Sequence, residues 1–314
     1  MAGFDVVALG DLNADLIVAG LDKPPAPGTE VLAETYRLTL GGSAGIFAAV
    51  LGSLGRGVGF IGLLGRDGMG EMVRARLESH GVDTGGIFLD PEIQTGLTVS
   101  LMRAGDRALV TVSGTIACLD GDRIPREYLC RGRHLHVSSY YLQTGLRPAL
   151  ASLLAQARDL GLTTSLDTGW DPAEAWDWPE VAALLPLVDV FLPNETEAAH
   201  LTGQEDPMAA LGVLLEAGAG TAAIKRGALG AVAGRGGERA AAKARRIEAV
   251  DTTGAGDSFN AGFVHRFLAG ADLVSCLEFA NACGALAAAR LGGADGAPRE
   301  EEVLAAMKTL EHCG

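Results

Sequence analysis

The sequence predicts an α/β fold with a mostly parallel central sheet. Short apolar runs that end in polar loops alternate with longer stretches whose apolar residues recur every three or four positions. Buried parallel strands and amphipathic helices give these two patterns, and their alternation is typical of βαβ units. Ligands bind beyond the carboxyl ends of the strands in such sheets, and the polar loops all follow the apolar runs. We therefore expect the functional site where these loops meet.

The elements follow in chain order, and the whole chain, 1–314, is predicted to be one domain. The apolar runs predicted as strands are residues 4–9, 57–64, 134–137, 162–166, 188–192 and 221–224. The predicted helices are residues 44–54, 69–80, 147–160, 195–201, 208–217, 254–268, 273–291 and 299–310.

Two segments depart from this alternation. Residues 12–40 contain a proline-rich stretch followed by β-type alternation, and residues 87–112 contain two alternating runs around a turn at 104–106. They predict either a small β-sheet that projects as a cover over the site or an antiparallel extension at the edge of the main sheet.

Composition and charge narrow the classes of function. The chain has 314 residues, 48% hydrophobic and 20% charged, which are the proportions of a soluble globular protein rather than a disordered chain. Its net charge of −14 argues against nucleic acid or an anionic membrane as a partner. The five cysteines form no CxxC pair, so we expect reduced thiols rather than disulfides or a zinc site. Without a leader pattern or an apolar run of about 20 residues, the sequence predicts a cytoplasmic protein.

The sharpest motif is VDTTGAGDSFNAGF at residues 250–263, where a turn of small residues leads directly into an apolar helix. The first N–H groups of a helix lack internal partners, and together with the helix dipole they bind anions. Gly254, Ala255 and Gly256 would let a phosphate approach the backbone closely. Asp257 adds a carboxylate that could accept the proton of an attacking hydroxyl, as phosphoryl transfer requires. The alternative is that Asp257 only caps the helix.

Six further motifs accompany this one in a fixed order. They are GDLNADLIV at 10–18, the GG of LTLGGSAG at 38–45, GLLGRDGMGE at 62–71, PNETEAAHLTG at 193–203, KRGALGA at 225–231 and FANACGALAAARLGG at 279–293. With them the chain resembles the ribokinase family, also called the PfkB carbohydrate kinases, over nearly its whole length. The resemblance implies a three-layer fold with a small β-sheet lid. It also implies phosphorylation of a hydroxyl, usually the primary alcohol of a sugar or nucleoside, with ATP and Mg²⁺.

The resemblance also implies roles for individual residues in catalysis and nucleotide binding. Asp257 resembles the catalytic base, and Gly254, Ala255 and Gly256, with the N–H of Asp257, resemble the anion hole. Nucleotide or Mg²⁺ binding is implied for Asn194, Glu197, Lys225, Gly227 and Asn281. Read without the family, Asn194 would be a helix N-cap followed by an acidic first turn, and Asn281 a polar residue satisfied between helices. The adenine pocket is expected to be apolar and formed by parts of 225–250 and 279–293.

A monovalent-cation site is implied beside the anion hole. Asp251 and Thr253 resemble the family's cation ligands, and the carbonyl groups expected to complete the shell are those of Ala287, Arg290, Gly292 and Gly296. Ligation by oxygen alone suits K⁺, and a cap formed by Asp251 is the alternative.

The acceptor side is implied by Asn13 and Asp15, whose side chains point the same way in an extended chain and suit the hydroxyls of a diol. Gly41 and Gly42 would permit a close approach to the sugar ring. Ile46 stands where sugar-specific relatives usually have an asparagine that contacts hydroxyls. This departure puts ribose in doubt, because Ile46 could instead face a deoxy position or a nucleobase.

The favoured function is phosphorylation of a small neutral sugar, with a nucleoside kinase as the alternative. A kinase for a phosphosugar or keto-acid sugar is disfavoured because few basic residues lie near the acceptor motifs, and no arginine follows Asp167 in the DTGWDP segment. A non-catalytic sensor would not need Asp257, and a dinucleotide oxidoreductase would carry a GxGxxG turn where this chain has GDLNAD. Because lids of this family often pair between subunits, we also expect a homodimer.

Overall fold

The computed structural model of the protein describes residues 3–103, 106–311 and 313. The strands of this part of the chain are β1 (Val6–Leu9), β2 (Asn13–Ala19), β3 (Thr35–Gly41), β4 (Val58–Gly65), β5 (Val82–Asp90), β6 (Gly96–Arg103), β7 (Asp106–Val112), β8 (His134–Val137), β9 (Thr163–Leu166), β10 (Val190–Phe191), β11 (Thr221–Lys225), β12 (Ala231–Arg235) and β13 (Glu238–Ala242). The α-helices are α1 (Ser43–Ser53), α2 (Gly68–Ser79), α3 (Arg126–Leu129), α4 (Leu150–Asp159), α5 (Trp178–Leu184), α6 (Glu195–Thr202), α7 (Pro207–Glu216), α8 (Ala255–Leu268), α9 (Leu273–Ala288) and α10 (Glu300–Thr309).

The large sheet has nine strands in the order β13-β12-β11-β10-β9-β8-β1-β4-β5. The strands from β11 to β5 are all parallel, and β12 and β13 add an antiparallel hairpin at one edge. The prediction of a mostly parallel sheet is confirmed. Strand β1 lies between β4 and β8. The chain first adds β4 and β5 on one side of β1, and later adds β8 to β13 on the other side. Loops diverge at such a switch point, and the crevice beyond the carboxyl end of β1 is where a ligand site is expected.

Helices cover both faces of this sheet, as the three-layer prediction requires. Successive residues of β1 point to opposite faces: Val6 and Ala8 belong to one apolar core cluster, and Val7 and Leu9 belong to the other. The first cluster packs under α1, α2, α8, α9 and α10, and the second packs under α3 to α7. Helices α8 and α9 approach closely because Gly262 has no side chain, and a Cβ there would lie 2.7 Å from the Sγ of Cys283.

The small sheet has four strands in the order β3-β2-β6-β7. Strand β2 pairs in parallel with β6, and the two outer pairs are antiparallel. Only three residues separate the end of β1 from the start of β2, so the small sheet continues directly from the carboxyl edge of the large sheet.

The bounds of the small sheet differ from the predicted segments. Residues 87–90 belong to β5 of the large sheet, so the second segment starts at Gly96 rather than at residue 87. In the first segment, residues 20–34 form no strand. Ala104 and Gly105 of the predicted turn lie outside the described residues. Among the described helices, none has both the length and the apolar character needed to span a membrane.

Candidate active site

The N-terminus of α8 forms an open socket of backbone N–H groups. Its N-cap residue, Gly254, has a φ of 73°, a conformation that favours glycine. A Cβ on Gly254 would lie 2.8 Å from the Cα of Gly293 and 3.0 Å from the Cγ2 of Ile46, so space also requires glycine. Within the described residues no side chain caps this N-terminus, and Gly256 is exposed. The first turn is therefore free to bind an anion.

Asp257 stands in this first turn and is not acting as the helix cap, since Gly254 occupies the N-cap position. Burial raises the pKa of the Asp257 carboxyl to about 8, and the negative charges of Asp167 and Asp11 contribute to the shift while Lys225 opposes it. The side chain of Ser43 lies near this carboxylate and lowers its pKa slightly. A carboxyl with a raised pKa is a stronger base, which is the property required of a group that takes a proton from a hydroxyl.

Lys225 lies at the centre of a buried polar cluster beside this turn. Its Nζ is 2.6 Å from Oδ2 of Asp167 and 3.1 Å from Oδ1 of Asn260. The amide of Asn260 also donates to Asp167, which accepts a further hydrogen bond from the N–H of Gly169. The Lys225 ammonium lies 3.8 Å from where a Cβ on Gly256 would be. A cation at this distance from the socket can stabilise negative charge bound there.

The sequence reasoning missed Asn260 and gave Asp167 no role in the site. Asn260 comes three residues after Asp257 on α8, and this spacing places both side chains on one helix face. Asp167 directly follows β9, at the carboxyl edge of the sheet. Once α8 and β9 had been predicted, the positions of both residues relative to these elements would have indicated that they belong to the site.

Asn194 and Glu197 form a capping box at the start of α6. The Glu197 carboxylate accepts from the N–H of Asn194 at 2.8 Å and from its Nδ2 at 2.7 Å, and Oδ1 of Asn194 accepts from the N–H of Glu197 at 2.8 Å. The N-cap interpretation of Asn194 therefore describes its local structure. Burial raises the pKa of Glu197 to about 7, with Asp167 adding to the shift and Lys225 opposing it. The charge of Glu197 therefore interacts with the charges of Asp167 and Lys225.

A cavity of ≈ 340 Å³ extends from the α8 turn, in the region predicted for the nucleotide base. Its lining is mostly apolar, and its residues are Lys225, Gly227, Ala228, Gly230, Ala244, Arg245, Ile247, Ala249, Thr252, Ala255, Gly256, Phe259, Asn281, Gly284, Ala285, Ala288 and Cys313. Asn281 donates to the carbonyl groups of Ala242 and Lys243 at 3.1 and 3.3 Å. Its amide therefore also forms hydrogen bonds between α9 and the end of β13. Arg245 and Cys313 were not predicted, because no motif marks them.

The predicted acceptor residues lie on β2, at the end of β3 and at the start of α1. The Nδ2 of Asn13 donates to Oδ1 of Asp15 at 2.8 Å and to the hydroxyl of Thr98 at 3.3 Å, so the two predicted side chains do point the same way. Thr98 was not predicted. A Cβ on Gly41 would overlap the Asp15 carboxylate, so glycine there makes room for it.

Helix α1 is held in place by a carboxylate from the end of β1. Asp11 accepts from the N–H groups of Ser43 at 2.8 Å and Ala44 at 3.0 Å, which supplies the cap that Gly42 lacks. A Cβ on Gly42, whose φ is 85°, would lie 2.6 Å from the carbonyl oxygen of Asp11. This cap fixes the position of Ser43 at the start of α1, near Asp257.

Ile46 is only 3% exposed and packs against the turn that begins α8. Its Cδ1 lies 2.9 Å from where a Cβ on Gly293 would be, and its Cγ2 contacts the Gly254 position. The side chain therefore joins α1 to the turn before α8. Ile46 thus lies between the predicted acceptor residues and the N–H groups of the α8 turn.

Hydrogen bonds link the segments predicted to form the cation site. The Asp251 carboxylate accepts from the N–H of Thr253 at 2.9 Å and from the N–H of Gly292 at 3.0 Å. The carbonyl of Ala287 accepts from the N–H of Arg290 at 3.1 Å, and that of Gly296 accepts from the Arg290 guanidinium at 3.2 Å. Asp251 thus links Thr253 to Gly292, and Arg290 links Ala287, near the end of α9, to Gly296.

The protein has an α/β/α fold with a crevice at the carboxyl edge of its sheet. A helix N-terminus able to bind an anion, a carboxylate with a raised pKa and a lysine come together there, which is typical of small-molecule kinases. The chain belongs to the family described as pfkB family carbohydrate kinase, whose model matches residues 4–300. The protein is therefore a sugar or nucleoside kinase of this family, and the predicted family and enzyme class are confirmed.

Individual relatives agree with this assignment. The chain is 32% identical to the ATP-dependent ribose-1-phosphate kinase of Halopiger xanaduensis over 96% of this chain and 97% of the relative. A candidate ribokinase II of E. coli, solved in complex with ATP and Mg²⁺, is 26% identical with a TM-score of 0.87 over 98% of this chain and 99% of that chain. Ribokinase of Arabidopsis thaliana, complexed with ribose and ATP, is 25% identical with a TM-score of 0.82 over 98% and 99%.

Proposed function

We propose that the protein transfers the terminal phosphoryl group of ATP to a hydroxyl, most simply a primary alcohol, of a small sugar. The observation that carries this proposal is the position of Asp257 between two half-sites. On one side are the α8 socket and Lys225, and on the other is helix α1 of the acceptor half, whose Ser43 lies near the Asp257 carboxylate. The E. coli and A. thaliana structures that hold ATP support ATP as the donor.

In the proposed reaction, Asn13 and Asp15 bind hydroxyls of the acceptor and aim one of them at the donor. Asp257 takes the proton of that hydroxyl as its oxygen attacks the phosphorus in line with the leaving oxygen of ADP. The N–H groups of the α8 turn and the Lys225 ammonium hold the charge that spreads over the transferred phosphoryl oxygens.

Mg²⁺ fits the charge of the site. Burial and the negative charge of Asp167 raise the pKa of both Asp257 and Glu197, and Lys225 opposes only part of these shifts. The described residues contain no group of three or more His, Cys, Asp or Glu side chains placed to hold a metal ion. Mg²⁺ usually takes most of its ligands from phosphates and water, and Asp167 or Glu197 would be the protein's contribution. When bound, it offsets the charge of the phosphate oxygens.

The mostly apolar cavity is the proposed pocket for the nucleotide base. It begins at Gly256, where phosphates would meet the socket, and Gly227 and Asn281 line it. A cavity of this size and character suits a base flanked by a few polar contacts.

We propose the small sheet as a lid over the acceptor. It carries Asn13 and Asp15 on β2 and Thr98 on β6, so any movement of this sheet would move the acceptor contacts with it. A neutral sugar is the favoured acceptor, because Asn13, Asp15 and Thr98 offer an amide, a carboxylate and a hydroxyl suited to sugar hydroxyls. A sugar 1-phosphate is the second candidate, favoured by the 32% identity to a ribose-1-phosphate kinase.

The proposal is tested by measuring ATP consumption with Mg²⁺ and K⁺ against pentoses, hexoses, ketoses, ribose 1-phosphate and nucleosides. Phosphorylation of a neutral sugar would support it. Phosphorylation of ribose 1-phosphate alone would replace the acceptor class, and use of nucleosides alone would favour the nucleoside-kinase alternative. ATP consumption with none of these acceptors would contradict the proposal.

A monovalent-cation site at Asp251 and Thr253 leads to a prediction about salts. Hydrogen bonds from Thr253 and Gly292 to Asp251 join the two segments expected to form the shell. We expect kcat/KM to rise when NaCl is replaced by KCl, because K⁺ would order the loop next to the anion-binding turn. Tetramethylammonium chloride at the same concentration controls for ionic strength. Equal kcat/KM in Na⁺ and K⁺ would remove the K⁺ assignment and leave the kinase proposal intact.

The small sheet also supports a proposed homodimer. Strand β7 forms an edge of this sheet, and Leu109, Val110 and Val112 on it are 53%, 58% and 45% exposed. Apolar edge strands of this kind are commonly covered by another chain. We expect light scattering at micromolar concentration to give twice the monomer mass, and Leu109→Lys to shift that mass toward the monomer. A monomer mass for the unmodified protein would contradict the pairing.

A further inference from the structure

Arg245 places a buried cation in the wall of the nucleotide cavity. The residue is 8% exposed, and one amino group of its guanidinium donates to the carbonyl of Leu310 at 3.3 Å. Its Nε has no hydrogen-bond partner among the described residues, and no carboxylate in that part of the chain lies within ion-pair distance. A buried guanidinium with unused donors is unfavourable unless a ligand supplies acceptors.

The C-terminal segment holds this arginine at one end of the cavity. The N–H of Cys313 donates to the carbonyl of Ala244 at 2.9 Å, and the N–H of Arg246 donates to the carbonyl of Glu311 at 2.7 Å. Arg245 lies between these two contacts and is tied to the same segment through Leu310. Within the described residues, the side-chain hydrogen bond of Arg245 goes to the C-terminal segment, whereas the backbone N–H groups of the α8 turn and Lys225 are available for phosphates. Arg245 is therefore placed to meet the base.

The chemistry of a guanidinium selects among bases. It offers hydrogen-bond donors only and stays protonated at every physiological pH, so it pairs with acceptor atoms. A 6-keto purine presents two adjacent acceptors, O6 and N7, and arginine binds these two atoms together. Adenine keeps N7 but has an amino group at position 6, which is a donor and cannot pair with a second donor.

We propose that Arg245 contacts the purine base of the phosphoryl donor, and that this kinase uses a 6-keto purine nucleoside triphosphate at least as efficiently as ATP. The inference rests on the proposed function, since it assigns the base specificity of the same nucleotide site. It makes Arg245 a residue that determines donor specificity.

The test compares ITP with ATP, which differ at position 6 and in the protonation of the adjacent N1. The unmodified enzyme should show a ratio of kcat/KM values, ITP over ATP, of one or more. Arg245→Met keeps an unbranched apolar stem but removes the donors, and it should lower this ratio by roughly 5- to 150-fold, the range for a bidentate base contact. Arg246→Met is the matched control, because Arg246 is the exposed neighbour and does not line the cavity. It should leave the ratio unchanged.

A ratio below one in the unmodified enzyme, or a ratio that Arg245→Met does not change, would overturn the proposal. Calorimetric titration of ITP and of ATP into each variant repeats the comparison without an acceptor. It keeps the inference testable if no acceptor is phosphorylated, which would count against the proposed function alone. If Arg245→Met does not fold, Arg245→Gln retains an amide donor at a shorter reach, and the same comparison applies.

Discussion

Asp257→Asn should lower kcat by about 10²–10⁴-fold, the usual contribution of a general base, while ATP still binds. The amide keeps the size and most of the polarity of the carboxyl, so the first turn of α8 needs little adjustment. It cannot accept the proton of the attacking hydroxyl. The measurements are kcat with the best acceptor and the affinity for ATP by calorimetry. A variant that kept nearly the original kcat would show that Asp257 is not the base.

The pH dependence of the same residue gives a second readout. Burial and the neighbouring carboxylates raise the pKa of Asp257 to about 8, so the protonated, inactive form accumulates as pH falls below that value. We expect kcat/KM to rise with pH up to about 8 in the unmodified enzyme, and this limb should be absent in Asp257→Asn. Glu301→Gln is the control, because Glu301 is an exposed carboxylate on α10, and it should change neither kcat nor the pH profile.

Local patterns were enough to predict the main elements and part of the site. The alternation of apolar runs and helical stretches predicted the parallel strands, because each pattern reports burial over a few neighbouring residues. Asn13 and Asp15 were expected to share one side of an extended chain, and the 2.8 Å hydrogen bond between them agrees. The short helix α5 and the β12-β13 hairpin were not predicted, since few residues in them carry a clear period.

Contacts between distant segments could not be predicted in the same way. Lys225 meets Asp167 and Asn260 across 58 and 35 residues of sequence, and only the sheet order brings β9, β11 and α8 together there. Ile46 was expected to face the acceptor, but its position against Gly254 and Gly293 depends on how α1 packs beside α8. The catalytic, nucleotide and cation roles that the resemblance implied remain predictions for the experiments above.

Asp15→Ala should lower kcat/KM for the acceptor by about 10- to 150-fold, with the KM for ATP nearly unchanged. The range follows from a hydrogen bond to a charged group, which contributes about 1.5–3 kcal/mol. Asp15 and Asn13 point to the same side of β2 on the acceptor side of the site, so removing the carboxylate would leave acceptor hydroxyls without their charged partner. The measurement is steady-state kinetics with the acceptor varied at saturating ATP, and then with ATP varied.

The variant must be separated from a general disturbance of the small sheet. Asp15→Asn keeps the shape beside Gly41 but removes the charge, so it should lie between Asp15→Ala and the unmodified enzyme. Asp22→Ala is the control, because Asp22 lies after β2 in the exposed part of the same segment. An equal rise in KM for ATP and for the acceptor would point to a misplaced lid. A loss confined to the acceptor would support Asp15 as a direct contact, because only the acceptor side of the site depends on its carboxylate.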